Sequence, residues 1–504
     1  MAIGKDRSLQ NLIDETPDLV DYFYNDTIAP HFRARTSLNA AFVPPEFSNW
    51  RDEQRAWRES VILFDQSHHM PELFLKGPDA LRLLTRVGIN GFADFTPDRA
   101  KQLVACTPRG HVIGDCVAYC LGENSFELVS GMSVLNWVHY QAEAGGYDVT
   151  IERDAPTPYN AAGRRILYRF QLDGPNAGKT FNDVVDGGTA PELPFFRTAR
   201  VRIGGCEVLA LRHGMAGHQG VELSGPYEEL DTVRAAILAA GKRHGIVRGG
   251  TQSYFSTIFE SGWMAYPLSG IYTGEEQRGF REWLPATGWE ANAQLGGSFR
   301  SSDIEDYYVN PWNLGYDRLI KFDHDFIGRE ALEALGNRPQ RRRMTLVWDA
   351  GDVLRVLASQ FGTGPRYKSL EFPVSFYGFP QFDEVCARDG RPVGLSSHCG
   401  FNINEGVVLS LAMLDEEYAI PGMEVVLTWG EPNGGSRKPH VERHEQVKIR
   451  ATVTPVPYAR HVRERRRATG TVPGARLSDI AEDADPTAHG SATGSCRGGR
   501  WSGC

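Results

Sequence analysis

Three short segments of this 504-residue sequence concentrate side chains that can move protons or hold a polar ring. The first, DQSHHM at 65–70, sets a carboxylate, an amide and two imidazoles directly after the apolar run VILF. Histidine titrates closest to neutrality, so a general acid or base is one reading, with His69 as its candidate. A metal pair is a second and a buried structural histidine a third. Neighbouring histidines in extended chain point to opposite sides, and no HExxH or downstream His/Cys cluster completes a coordination set, so no metal is expected.

The second segment, LRHGMAGHQGVELSGP at 211–226, spaces glycines 214, 217, 220 and 225 around one acidic residue, Glu222. Such glycines allow tight turns or close approach to a flat ligand, but they form neither GxGxxG nor a Walker loop, so a dinucleotide is not indicated. The third, SYFSTIFESGWMAYPL at 253–268, gathers two tyrosines, Tyr254 and Tyr266, with Glu260 and Trp263 near a glycine. It reads either as core packing or as an aromatic platform.

The elements that must position these segments follow an α+β pattern. Helical spacing over 9–26 is interrupted by Pro17, and Pro44-Pro45 forbids a continuing helix, so 1–60 reads as an N-terminal arm. A helix over 78–87 with Leu81, Leu84 and Val87 on one face, followed by the strands FELVS and YDVTIERD, marks a first α+β lobe, 61–200. CEVLALRHG as a strand and a helix carrying Leu230, Val233, Ile237 and Leu238 mark a second, 201–338. After the arginines at 341–343, MTLVWDAG, EVVLTWG and VKIRATVTPVPY predict a β-rich domain over 339–458. RHVRERRRATG and the Gly/Ser/Ala/Asp/Thr mixture beyond it predict a disordered tail, 459–504.

Composition narrows the partners. No stretch approaches the roughly 20 apolar residues of a membrane span, and the first residues lack a signal-peptide core, so a cytoplasmic protein is expected. A net charge of −9 without a basic, aromatic-laced face points to a small molecule rather than nucleic acid or membrane. Eight cysteines without a CxxC pair read as free thiols, Cys116 and Cys120 among them as small buried strand residues.

Taken together the segments resemble the aminomethyltransferase family, the folate-dependent T-protein of glycine cleavage and its relatives, collinearly over about 45–458. LRHGMAGHQGVEL matches the family's glycine turn and puts Glu222 in its pterin-binding place; IFESG keeps Glu260 and Gly262 of R-x-E-x-G but has Ile258 for the arginine. KFDHDFIGREAL resembles the close of the second lobe, and VGLSSHCGFNINEGVVLSLAML the small C-terminal barrel. PPEFSNWRDEQRAWRESVILFDQSHHM, GHVIGD, GGSFRSSDIEDYYVNPW and WGEPNGGSRK are similar to one branch, the aryl O-demethylases of lignin-derived methoxybenzoates such as syringate, vanillate and 3-O-methylgallate.

The resemblance implies two α+β lobes and a C-terminal β-barrel around a central folate site, with tetrahydrofolate as methyl acceptor and no metal, flavin or NAD. It places Tyr254 and His69 by the methoxy oxygen as the catalytic pair, Gln66 on the ring substituents, Glu222 on the pterin with Trp263 stacked near it, and Asp115 and Tyr254 toward the cofactor. Two departures matter. GHVIGDCVAY keeps only Asp115 of the T-protein's aspartate pair, with Gly114 in the other place, which disfavours aminomethyl transfer. Gly131 stands where vanillate-using relatives carry an arginine, the natural fork for a carboxylate, and leaves room for a second methoxy group. Syringate, giving 3-O-methylgallate and 5-methyltetrahydrofolate, is the favoured reading. Vanillate or 3-O-methylgallate demethylation, glycine-cleavage aminomethyl transfer and folate binding without turnover are the alternatives, and Arg33 and Arg35 are candidate cations for the substrate carboxylate.

Overall fold

The strand Leu167–Asp173 alternates strictly, and its two faces set the architecture. Tyr168, Phe170 and Leu172 enter a core with Val61, Leu63, Val208, Ala210, Val221 and Leu223, covered by the helices Ala177–Val184 and Leu230–Gly241. Arg169, Gln171 and Asp173, all buried, fall on the other face and look toward the middle of the molecule. The computed structural model describes residues 7–27, 42–160, 162–218 and 220–468. Arg33, Arg35, Cys496 and Cys504 lie outside them.

Six strands make this sheet in the order Ile246–Gly249, Val61–Asp65, Leu167–Asp173, Val221–Pro226, Cys206–Leu211, Thr198–Ile203. The first two run parallel, Val61 opposite Ile246, and the remaining pairs are antiparallel. A five-stranded antiparallel sheet follows the order Ala100–Cys106, Val112–Gly122, Ser125–Ser130, Glu72–Lys76, Thr150–Asp154. Helices Ala80–Val87 and Met132–Ala144 pack on it; Ala80, Leu83, Leu84 and Val87 are the buried face of the first, with Leu81 half-buried at its edge. Helices Leu9–Glu15 and Leu19–Asn25, parted at Pro17, bring Leu9, Leu12, Val20 and Phe23 into the same core. Six C-terminal strands between Arg342 and Thr454 close into a barrel with its own core. The arrangement is α+β, as the sequence predicts.

The lobes interleave instead of dividing at residue 200. Val61–Asp65, Leu167–Asp173 and Thr198–Ile203 all hydrogen-bond into the sheet that holds Glu222, because the strand Val61–Asp65 is satisfied by a parallel partner far along the chain. Among the described residues no helix is long and apolar enough to cross a membrane. Cys116 and Cys120 are buried on one strand.

The tail expected from 459 needs correction at its start. Residues Arg460–Ala468 form a helix, and Val462 is fully buried. A Cβ placed on Gly217, in the glycine turn, would meet the Val462 side chain at 2.5 Å, so glycine there admits the valine. Residues through Arg463 form one compact unit; the second unit begins at Glu464, and 469–504 lie outside the described residues. Ending the chain at 459 should therefore lower the melting temperature, at about 2–4 °C for each kcal/mol of lost packing. A differential scanning calorimetry trace unchanged by that truncation would show the Val462 contact to be immaterial.

Candidate active site

The inward face of the six-stranded sheet carries polar residues on two adjacent strands, with Phe64 beside them on a third. Phe64 is opposite Gln171, which is opposite Glu222, and Arg169 is opposite Ser224. The chain leaves the strand Val61–Asp65 into residues 66–70, which Arg165 pins by donating to the carbonyls of Ser67 and Met70 (2.6 Å) while its Nε sits 2.9 Å from Asp154. Residues 67–69 form a turn, not the extended chain that the sequence suggested, and within it the two histidines still point to different partners. His68 faces Thr157 (3.0 Å) and stacks on Phe42, whereas His69 turns inward to Tyr254.

Tyr254, on the helix Thr251–Ser261, is the meeting point. His69 Nε2 lies 3.0 Å from its hydroxyl, and Gln66 Nε2 donates to it at 3.3 Å and to Met215 Sδ at 2.9 Å. Burial, reinforced by the charges of Arg165 and His68, pushes the His69 pKa down to about 3, so this imidazole is neutral. Among the described residues its Nδ1 is buried without a partner. Orphaned buried donors are rarer than under-used acceptors, which favours the tautomer with the proton on Nε2. Gln66 and His69 then both donate to the tyrosine oxygen, and the tyrosine's own proton is free for a third group. Burial also pushes the Tyr254 pKa well up, so the phenol is protonated.

Glu222 lies on the inward sheet face, opposite Gln171. Its Oε1 accepts from Arg169 and Tyr119, while among the described residues Oε2 has His213 Nδ1 at 4.0 Å. Burial raises its pKa, but Arg169 and His213 outweigh burial and hold the carboxyl below its usual range. One carboxylate oxygen is thus left to accept from a flat, donor-bearing heterocycle, and the residues present would fit the pterin that the family resemblance implies. The glycines beside it serve the turn. A Cβ on Gly220 would lie 2.1 Å from Asp173 Oδ1 and 2.5 Å from the His213 carbonyl, and Asp173 in turn accepts from Met215 N (3.0 Å) and Ala216 N (3.2 Å). Burial, against those two N–H groups, pushes the Asp173 pKa up to about 8.

Asp115, Gly131 and Trp263 line a cavity with Tyr266, Trp289 and Phe379. Asp115 accepts from Gln102 (2.7 Å), and Trp263 Nε1 donates to Tyr316 (2.9 Å). Burial raises the Asp115 pKa. The phenol of Tyr266 stands near enough to raise that of Tyr254, which links the cavity to the Gln66–His69–Tyr254 trio. Of the sequence-predicted residues, then, Gln66 and His69 both hydrogen-bond to Tyr254, Glu222 lies on the same inward sheet face, and Asp115, Gly131 and Trp263 form a neighbouring wall. Glu260 lies elsewhere: it is fully buried and accepts from Trp57 (3.3 Å) and Asn402 (2.9 Å), a brace between helices and barrel.

Sequence reasoning missed Arg169, Gln171 and Tyr119. The signal for the first two was present as YRFQLD, a polar stripe of period two inside an otherwise apolar strand. Tyr266 holds a positive φ of 50°, which no local pattern announced.

The GCVT N-terminal domain model matches residues 25–268. Syringate O-demethylase of Sphingobium sp. (strain NBRC 103272 / SYK-6) is 45% identical over 453 residues, covering 90% of this chain and 96% of that protein. The chain belongs to the aminomethyltransferase family. The family includes more distant relatives such as sesamin methylene transferase of Sinomonas sp. (strain No.22), 27% identical over 83% of this chain and 90% of its own length. The crystal structure of glycine cleavage system aminomethyltransferase T from Bartonella henselae shares the family fold with a TM-score of 0.55 at 17% identity, covering 82% of this chain and 90% of that one.

Proposed function

We propose that this protein demethylates a methoxybenzoate, syringate in preference, and passes the methyl group to tetrahydrofolate to give 3-O-methylgallate and 5-methyltetrahydrofolate. The observation that carries the reading is the Tyr254 hydroxyl, buried and protonated, with His69 and Gln66 both on its oxygen. The similarity to a syringate O-demethylase over nearly the whole chain supports it.

An aryl methyl ether resists methyl transfer because a phenolate must leave. When bound, tetrahydrofolate supplies the amine nitrogen that accepts the methyl group. The protein's share is to position the ether and to protonate the departing oxygen. Tyr254 gives its proton to the departing oxygen, the donations from Gln66 and His69 stabilise the tyrosinate that remains, and the proton that the accepting amine would lose restores the phenol. Glu222 holds the pterin, and the cavity of Trp263, Tyr266, Trp289 and Phe379 shields the reacting groups from water. No metal, flavin or nicotinamide enters this scheme.

Incubation of the full-length protein with syringate and tetrahydrofolate, followed by mass spectrometry, should yield 3-O-methylgallate and methylated folate in equal amounts. Absence of product, or activity that appears only with added zinc or iron, would overturn the reading.

Gly131 tests the specificity. A Cβ there would meet Tyr266 Cε1 at 3.1 Å and Cδ1 at 3.4 Å, so any side chain must displace that ring by a few tenths of an ångström. Wild-type protein should prefer syringate to vanillate in kcat/KM, and Gly131→Arg should lower the syringate value by about tenfold or more while sparing vanillate. A wild-type preference for vanillate would contradict this use of the space.

A further inference from the structure

The cavity that holds Gly131 ends against the start of the helix Met132–Ala144. Gly131 is its N-cap and has no side chain to offer, so no capping hydrogen bond is made. The first-turn N–H groups of that 13-residue helix lack their usual side-chain oxygen and carry the positive end of the helix dipole. Met132, Ser133 and Val134 all line the cavity.

Glu290 reaches the same wall from the short turn Glu290–Asn292. It is 2% exposed. Its Oε1 accepts from Asn136 Nδ2 at 2.9 Å, while Oε2 is buried without a hydrogen-bond partner among the described residues. Behind it, Arg153 donates to Asn136 Oδ1 at 2.6 Å. Burial lowers the pKa of Arg153 and the Glu290 charge raises it, so this guanidinium lends its field to the same wall. Burial in turn raises the pKa of Glu290, and the Ser133 hydroxyl is close enough to lower it again. A buried carboxyl oxygen beside an uncapped helix start, both on the wall of one cavity, is a site for a proton-sharing anion.

Resting on the reading above, we propose that this wall seats the substrate carboxylate: the anion takes the first-turn N–H groups of Met132–Ala144 and the Ser133 hydroxyl, and shares one proton with Glu290 Oε2. Two carboxyl groups in contact cannot both ionise and hold a single proton between them. The pair thereby holds the anion with no side chain added at Gly131, where even a Cβ would press on the Tyr266 ring.

The test is equilibrium binding to the full-length protein without folate, read by quenching of the cavity tryptophans. The ligands are syringate and syringaldehyde, in which a neutral aldehyde replaces the carboxylate. Glu290→Ala and Ser133→Ala should each weaken syringate by about tenfold or more and leave syringaldehyde nearly unchanged. Glu290→Gln, which keeps a neutral donor, should restore most of the syringate affinity. If Glu290 merely braces Asn136, both ligands weaken alike and the amide variant gives no selective rescue; that result, or unchanged syringate affinity in Glu290→Ala, overturns the proposal. Wild-type demethylation of syringate alongside such a result would leave the proposed function standing, whereas absence of wild-type turnover would remove both.

Discussion

Replacing Tyr254 by phenylalanine should slow single-turnover methyl transfer by about two to four orders of magnitude and leave tetrahydrofolate affinity intact. The substitution removes one oxygen and keeps the ring, whose contacts with Phe64 and Phe255 hold its place in the core. Without that oxygen, Gln66 and His69 aim their donors at nothing, and the leaving phenolate must depart unprotonated. His69→Ala should act through the same atom: the tyrosinate loses one of its two donors, so the loss falls on kcat more than on KM. Preloading the protein with tetrahydrofolate and following a single turnover separates the chemistry from binding. A near-normal rate in Tyr254→Phe would take the tyrosine out of the mechanism and leave the buried, neutral His69 without a role that this geometry explains.

What the sequence disclosed and what it hid have separate physical causes. Gln66, His69 and Tyr254 stand in short strings that the family resemblance singled out, and the fold gathers these three at one hydroxyl. The strand Leu167–Asp173 was legible in kind but not in place: alternation announces a two-faced strand, yet nothing local states that Val61–Asp65 will pair on one side of it and Val221–Pro226 on the other. Sheet partners distant in sequence are chosen by the whole core, so the lobe boundary drawn at residue 200 had no local signal to correct it. Val462 shows the converse. One apolar residue among arginines has no period to detect, and its burial depends on the space that Gly217 leaves open.

Removing Arg169 should have the largest effect on stability of any single change at this site. The residue is 1% exposed and joins three carboxylates: Nη2 reaches Glu127 and, at 3.0 Å, Glu72; Nε reaches Glu72 at 3.1 Å; Nη1 reaches Glu222 and, at 3.1 Å, Tyr119. Arg169→Met fills much the same space but strands those charges, and breaking a buried ion cluster in this way costs about 3–5 kcal/mol. The loss should depend on pH. Burial already raises the pKa of Glu72 and of Glu127, with Arg169 opposing it at both. Without the guanidinium the two acids fit the fold only when protonated, so their folded pKa values climb further above the unfolded ones. Stability from a carboxyl with a raised folded pKa is present below its unfolded pKa and is lost as pH rises toward the folded value. The deficit of Arg169→Met against wild type should therefore be smaller at pH 5 than at pH 8 in paired urea titrations. An equal deficit at both would assign the loss to packing rather than charge. Glu222 makes the same substitution a functional test, since Arg169 is the larger of the charges that keep it ionised against burial. Tetrahydrofolate should bind the variant more weakly at neutral pH, and Arg169→Lys, which restores the charge without the fork, should recover only part of that affinity.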